Sequence, residues 1–319
     1  MIYAKIVGTG TYLPEQIIKN DDFPASLQTS DEWIRTRTGI HSRRIALADA
    51  LTSDFAAKAA VEALKAANVD PEDIDLIILG TSTPDQFFPS TASMVQEKIG
   101  NTKAAAFDIQ AVCAGFIYGL SIADQFIRSG QYQRVLVIGA DIFSRLMDWE
   151  DRSTCVLFGD GAGAVVLEAS HTPGILGSVL KSDGRHKQLL ETPGHINRGQ
   201  IVGSPFLKMD GGAVFKFAVK SLADVSEELL NNLNIDASTV DWMVPHQANI
   251  RIIESTAKRL KLPMEKVVVT VGEHGNTSAA SIPLALDSYV KSGKIKAGDR
   301  LLLVAIGGGF VWGSVLLDY

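Results

Sequence analysis

Residues 104–115 read AAAFDIQAVCAG, and residues 267–281 read VVVTVGEHGNTSAAS. Each is a short apolar run, then small residues, then a helix-like stretch. Their neighbours echo one another too. RVLVIGAD (134–141) followed by CVLFGDGAGAVVLE (155–168) matches RLLLVAIGGG (300–309) followed by FVWGSVLLDY (310–319). The run Leu76–Gly80 precedes a loop with Pro84, as Trp242–Val244 precedes Pro245. The same order of elements met twice predicts a duplicated α/β unit, with one half at 1–170 and the other at 171–319.

Outward from these pairs, apolar runs bounded by Gly, Pro or Asp alternate with helical periodicity. The expected strands are Ala4–Gly8, Leu76–Gly80, Ala104–Ile109, Val135–Gly139, Ala164–Glu168, Trp242–Val244, Val267–Val271, Leu301–Ile306 and Val311–Leu317. The expected helices are Ser53–Ala67, Ala92–Ile99, Ala114–Ser129, Gly212–Leu233, Ile250–Leu260 and Ser281–Ser292.

Composition narrows the class. The 319 residues are 46% hydrophobic and 21% charged, which is too apolar for a disordered chain. A chain of this length buries roughly three quarters of its extended surface. No apolar run approaches the roughly 20 residues of a membrane helix, and MIYAKIVGTGTYLP reads as a strand entering a turn rather than a signal peptide. Two cysteines cannot build a disulfide framework, so a reducing cytoplasm is expected. The net charge of −6 argues against bulk nucleic-acid binding.

Cys113 stands where a strand ends and an apolar helix begins. The positive end of the helix dipole and free backbone N–H groups there favour thiolate, although a small buried thiol fits the same pattern. Cys155, in STCVLF, reads as core filler in a strand. His246, in VPHQAN, follows a strand, where ligands and catalysts gather in α/β sheets; a histidine satisfied by backbone is the other reading. His274 lies two residues before Asn276, while His41, His171, His186 and His195 read as surface. Asn276, in HGNTSAASIP, suits a helix cap as well as a site. A thiol, an imidazole and an amide at three strand ends nevertheless make the set that thiol chemistry needs.

The glycine cluster GDGAGA (159–164) leads into a strand rather than a helix, so it is read as a turn and not a phosphate loop. GGG (307–309) either makes a tight turn or brings backbone N–H groups close to a ligand. On NIRIIESTAKRLK, Arg251 and Lys258 lie opposite Ile252, Ile253 and Leu260, with Arg259 adjacent; Lys216 and Lys220 add charge from the preceding helix. This stripe is either a solvated face or a dock for an acidic partner.

Taken together the sequence resembles the β-ketoacyl-acyl-carrier-protein synthase III family. The resemblance runs from YAKIVGTGTYLP to GGGFVWGSVLLDY, through DEWIRTRTGI, FDIQAVCAGF, FGDGAGAVVL, VPHQANIRI and HGNTSAASIP in that order. It implies a thiolase-like fold of two α/β halves in five layers, αβαβα, and a homodimer. It further implies that Cys113 is acylated by an acyl-CoA, with His246 and Asn276 acting on malonyl-acyl-carrier protein. Backbone N–H groups of Cys113 and Gly308 would form the oxyanion hole. Trp33, Arg37 and Arg152 would hold coenzyme A, and Lys216, Arg251, Lys258 and Arg259 would receive the acyl carrier protein. Phe88, in DQFFPS, would limit the acyl pocket across the dimer, favouring acetyl-CoA. No metal or redox cofactor is implied, and the Cys-His-Asn set differs from the Cys-His-His that elongating synthases resemble. Two alternatives share these residues: a condensing enzyme or acyltransferase of specialised metabolism, and a silent acyl-CoA or carrier-protein binder.

Overall fold

The computed structural model describes residues 2–319. The first half runs β1 (Tyr3–Tyr12), β2 (Gln16–Lys19), α1 (Asp31–Thr38), β3 (Ser42–Ile45), α2 (Thr52–Ala67), β4 (Leu76–Gly80), α3 (Thr91–Lys98), β5 (Ala105–Ile109), α4 (Gly115–Arg128), β6 (Arg134–Ile142) and β7 (Asp160–Ser170). Its main sheet has the order β1-β7-β6-β4-β5. β4 is parallel to β5 and β6, and β7 is antiparallel to β6 and β1. Every residue of β4 is buried, as expected of a central parallel strand covered on both faces.

The second half runs β8 (Ile175–Ser182), four short strands β9 (Leu190–Glu191), β10 (His195–Asn197), β11 (Gln200–Val202) and β12 (Lys208–Met209), then α5 (Gly211–Leu233), β13 (Trp242–Pro245), α6 (Ile250–Arg259), α7 (Val271–His274), α8 (Ser281–Lys291), β14 (Arg300–Gly307) and β15 (Val311–Asp318). Its sheet has the order β13-β14-β15-β8, with β13 parallel to β14 and the other pairs antiparallel. Position by position, β8, β15, β14 and β13 repeat β1, β7, β6 and β4.

The place of β5 is where the repeat departs from expectation. Val267–Val271 does not form a strand. It makes one parallel bridge, Val267 to Met243, and the Val268 N–H donates to the Met243 carbonyl at 2.9 Å. Further along, the N–H groups of Thr270 and Val271 donate to Oε1 of Gln247 at 2.8 and 3.1 Å. A side chain thus satisfies the donors that a strand partner would take, and the chain coils into α7.

Helices α2 and α3 cover the outside of the first sheet, α4 and α8 fill the space between the sheets, and α5 with α6 covers the second. The result is five layers, αβαβα. The central layer packs tightly: a Cβ at Gly80 would fall 2.7 Å from the carbonyl carbon of Gly115, so β4 and the start of α4 meet only because position 80 is glycine.

Two local expectations also change, and one helix was not expected. Cys155 is fully buried but lies in turns, not in a strand. GDGAGA is largely the start of β7 rather than a turn. Helix α1 escapes periodicity because DEWIRTRT is short and polar; its start is fixed by Ser30, whose Oγ accepts from the Trp33 N–H at 3.1 Å.

Candidate active site

One cavity of about 540 Å³ gathers Cys113, His246 and Asn276 in its wall. Cys113 comes from a single 3-10 turn, Val112–Ala114, joining β5 to α4. Val112 holds a left-handed φ of 45°, a sharp elbow for a β-branched residue. His246 leaves the end of β13, its N–H donating to the Val304 carbonyl at 2.8 Å. Asn276 sits between α7 and α8, so it follows a helix rather than the strand expected.

Each side chain is held from behind. His246 Nδ1 lies 2.6 Å from Ser281 Oγ. Asn276 Oδ1 accepts from the Ser278 N–H at 2.9 Å, which leaves Nδ2 with no partner among the described residues. The GGG stretch closes the other side. Gly307 lines the cavity, and a Cβ there would fall 2.7 Å from the Cys113 backbone nitrogen. Gly308 does not line the cavity; its Cα faces the Leu190 carbonyl.

Cations ring the opening. Arg37, Lys216 and Arg251 line the cavity, and the Arg251 guanidinium lies 5.3 Å from the Phe215 ring centre. Trp33 is outside the cavity but carries two guanidinium groups at its ring, Arg37 at 4.7 Å and Arg152 at 5.3 Å. Arg152 also donates to the Gln28 carbonyl. Asn249 ties this group to α6, donating to the Arg37 carbonyl at 3.0 Å. Lys258 and Arg259 lie farther along α6, outside the cavity lining, and Arg259 is paired with Asp224 at 2.8 Å.

Two models of the family described as 3-oxoacyl-[acyl-carrier-protein (ACP)] synthase III match, the first at residues 107–184 and its C-terminal counterpart at 230–319. A β-ketoacyl-[acyl-carrier-protein] synthase III of Neisseria meningitidis serogroup B is 59% identical over 320 residues, covering 100% of both chains. The chain belongs to the β-ketoacyl-acyl-carrier-protein synthase III family. The crystal structure of the synthase III from Aquifex aeolicus VF5 superposes with a TM-score of 0.94 at 49% identity, covering 99% of this chain and 100% of that one. That from Thermus thermophilus gives 0.93 at 42% identity, with 99% of each chain covered. The synthase is therefore an acyltransferase, the initiating condensing enzyme of fatty acid synthesis, on a thiolase-like fold.

Electrostatics in the synthase run against one expectation. Burial pushes the Cys113 thiol up to about 12, with the neighbouring Ser278 hydroxyl lowering it and the charge of Asp141 raising it again. Desolvation is the largest influence on the group and acts against the helix terminus, favouring a resting thiol. Burial lowers His246 to about 3, so its imidazole is neutral at physiological pH. Asp141, fully buried, is raised to about 6 by desolvation despite donors that include the Ser82 N–H at 2.7 Å.

Sequence reading passed over the apolar wall formed by Phe158, Leu190, Ile306 and Phe310. Nothing in their spacing sets them apart from other core residues. His274 is half-buried and does not line the cavity. Phe87 and Phe88 are 82% and 84% exposed and stand away from it.

Proposed function

We propose that Cys113 is the acylated nucleophile of the synthase, that His246 and Asn276 act on malonyl-acyl-carrier protein, and that acetyl-CoA is the primer. The convergence of these three side chains on one cavity carries the reading. Cys113 Sγ attacks the acyl-CoA thioester, and the oxyanion is received by the backbone N–H of Cys113 and that of Gly308, whose peptide bond joins it to the cavity-lining Gly307 although its Cα lies outside the lining. Sγ acquires the acyl group, coenzyme A departs, and the thiol proton ends on the coenzyme A sulfur. Malonyl-acyl-carrier protein then enters. Loss of carbon dioxide leaves an enolate whose oxygen is stabilised by hydrogen bonds from His246 and Asn276. The enolate carbon attacks the acyl carbonyl, the bond to Sγ breaks, and β-ketoacyl-carrier protein leaves as Cys113 regains a proton. Decarboxylation itself supplies the carbanion, so the scheme uses no metal or redox cofactor.

Trp33, Arg37 and Arg152 take the adenine and phosphates of coenzyme A. The paired cation contacts on the Trp33 ring support this, since a flat ring and fixed positive charges are what a nucleotide needs. Lys216, Arg251, Lys258 and Arg259 receive the acidic carrier protein. The working form is a homodimer in which Phe88 closes the partner's acyl pocket. Its support is the position of β5 at an open sheet edge and the exposure of Phe88. Residues 1–170 and 171–319 are the two repeated halves. Free cysteines at 113 and 155 suit a reducing cytoplasm, and among the described residues no helix is long and apolar enough to cross a membrane.

Intact-protein mass after mixing with acetyl-CoA tests the reading. An acetyl adduct is expected on the native chain, absent from Cys113→Ala, and discharged by malonyl-carrier protein as acetoacetyl-carrier protein. Failure of every acyl-CoA chain length to label Cys113 would refute it.

A further inference from the structure

The hydrogen bond behind His246 has a direction that the surrounding groups decide. Ser281 is buried, does not line the cavity, and opens α8. Its Oγ accepts from the backbone N–H of Gln247 at 3.3 Å and lies 2.6 Å from His246 Nδ1. Among the described residues, Nδ1 is the one acceptor in reach of the Ser281 hydroxyl proton. Were Nδ1 the protonated nitrogen, that hydroxyl hydrogen would be buried without an acceptor. The backbone donor at Gln247 is itself fixed. Gln247 Nε2 donates to the carbonyls of Pro245 and Val268 at 2.8 and 3.0 Å, while its Oε1 holds the N–H groups of Thr270 and Val271. Gln247 therefore aims its own N–H at Ser281 Oγ, and the hydroxyl turns its proton toward the imidazole.

We propose that Ser281 is a positioning residue that sets the tautomer of His246, donating to Nδ1 so that Nε2 carries the ring's only proton. This rests on the reading of His246 as a hydrogen-bond donor in the malonyl half-reaction. A neutral imidazole has one N–H to give, and donation from Nε2 requires an acceptor role at Nδ1. Ser281 never meets the substrate. It acts through the ring it orients, as outer partners of catalytic and metal-bound histidines do.

The experiment uses the full chain with histidine labelled with nitrogen-15, assigning His246 by the resonances missing from His246→Ala. The native protein is expected to show protonated Nε2 and unprotonated Nδ1. Ser281→Ala is expected to shift His246 toward the other tautomer. It should lower condensation from pre-acetylated enzyme on the order of tenfold to hundredfold, with acetyl transfer from acetyl-CoA to Cys113 unchanged. Ser281→Thr, which keeps the hydroxyl, should restore the native tautomer and most of the rate. A protonated Nδ1 in the native chain overturns the proposal. So does a Ser281→Ala protein with unchanged tautomer or unchanged condensation. Full condensation by His246→Ala would instead refute the donor role of His246, a separate failure.

Discussion

Asn276 and Phe158, from opposite halves of the chain, lie side by side in an isolated parallel bridge. The Asn276 N–H donates to the Leu157 carbonyl at 2.9 Å, and its carbonyl accepts from the Gly159 N–H at 3.0 Å. The backbone of Asn276 is therefore fixed by the segment that leads into β7, and its side chain is fixed at Oδ1 by Ser278. Nδ2 alone is left to meet a substrate. Asn276→Asp keeps the volume and the acceptor for Ser278 but removes the Nδ2 donor. Condensation should fall by about 10²–10³-fold, the cost of one oxyanion donor. Acetylation of Cys113 should continue, and separate assays of the two half-reactions check this. Equal losses in both would show that the substitution had disturbed the whole cavity.

The resting thiol leads to a pH prediction. With Cys113 pushed up to about 12 and His246 lowered to about 3, no thiolate–imidazolium pair exists near neutrality. The thiolate fraction then grows about tenfold per pH unit across the range below the thiol's own value. Alkylation of Cys113 by iodoacetamide, followed by peptide mass, should climb continuously from pH 7 to pH 10. A plateau near neutral pH would mean that the helix terminus outweighs burial after all.

Much of this arrangement is written in the chain at short range. The run LIILG at 76–80 is buried throughout and becomes β4 with the limits read from its apolar pattern, because a doubly covered strand has no polar face to blur its ends. The repeat placed Cys113 and Asn276 at matching points, after β5 and after the segment that stands in for β5. That this segment is not a strand was illegible: the decision belongs to the Gln247 side chain, about twenty residues earlier, which takes its N–H groups. The surroundings of the thiol were likewise only half legible. The sequence displays a helix start beside Cys113, but the desolvation that opposes it comes from residues brought in by folding. Ser281 reads in the sequence as one more small residue in a helix cap, and its 2.6 Å contact with His246 spans the gap from α8 to β13.

Trp33 gives a test of the proposed nucleotide site that leaves the chemistry alone. Its ring is contacted by Arg37 and Arg152 and stands outside the cavity that holds Cys113. Stacking of a base on an aromatic ring contributes about 1–3 kcal/mol. Trp33→Ala should therefore raise KM for acetyl-CoA by roughly five- to a hundredfold, while KM for malonyl-carrier protein and the single-turnover condensation rate stay near the native values. A matching rise in KM for the carrier protein would place Trp33 on a shared entry path instead of a nucleotide site.

The four basic residues assigned to the carrier protein are not equivalent, and their surroundings rank them. Arg259 lies 2.8 Å from Asp224, which also holds Lys220 at 2.7 Å, so much of its field is already answered within the protein. Arg251 has no acidic partner among the described residues; it lines the cavity and lies over the Phe215 ring. A charge with no partner attracts an incoming anion more strongly, and exposed attraction of this kind is screened by salt. Arg251→Ala should raise KM for malonyl-carrier protein several-fold more than Arg259→Ala, and the gap should narrow between 50 and 500 mM salt. Acetylation of Cys113 by acetyl-CoA serves as the control, since a fold defect would slow it too. If Arg259→Ala proves the more damaging substitution, the carrier protein must break the Asp224 pair on docking, and the contact surface would centre on the α5–α6 seam rather than on the cavity mouth.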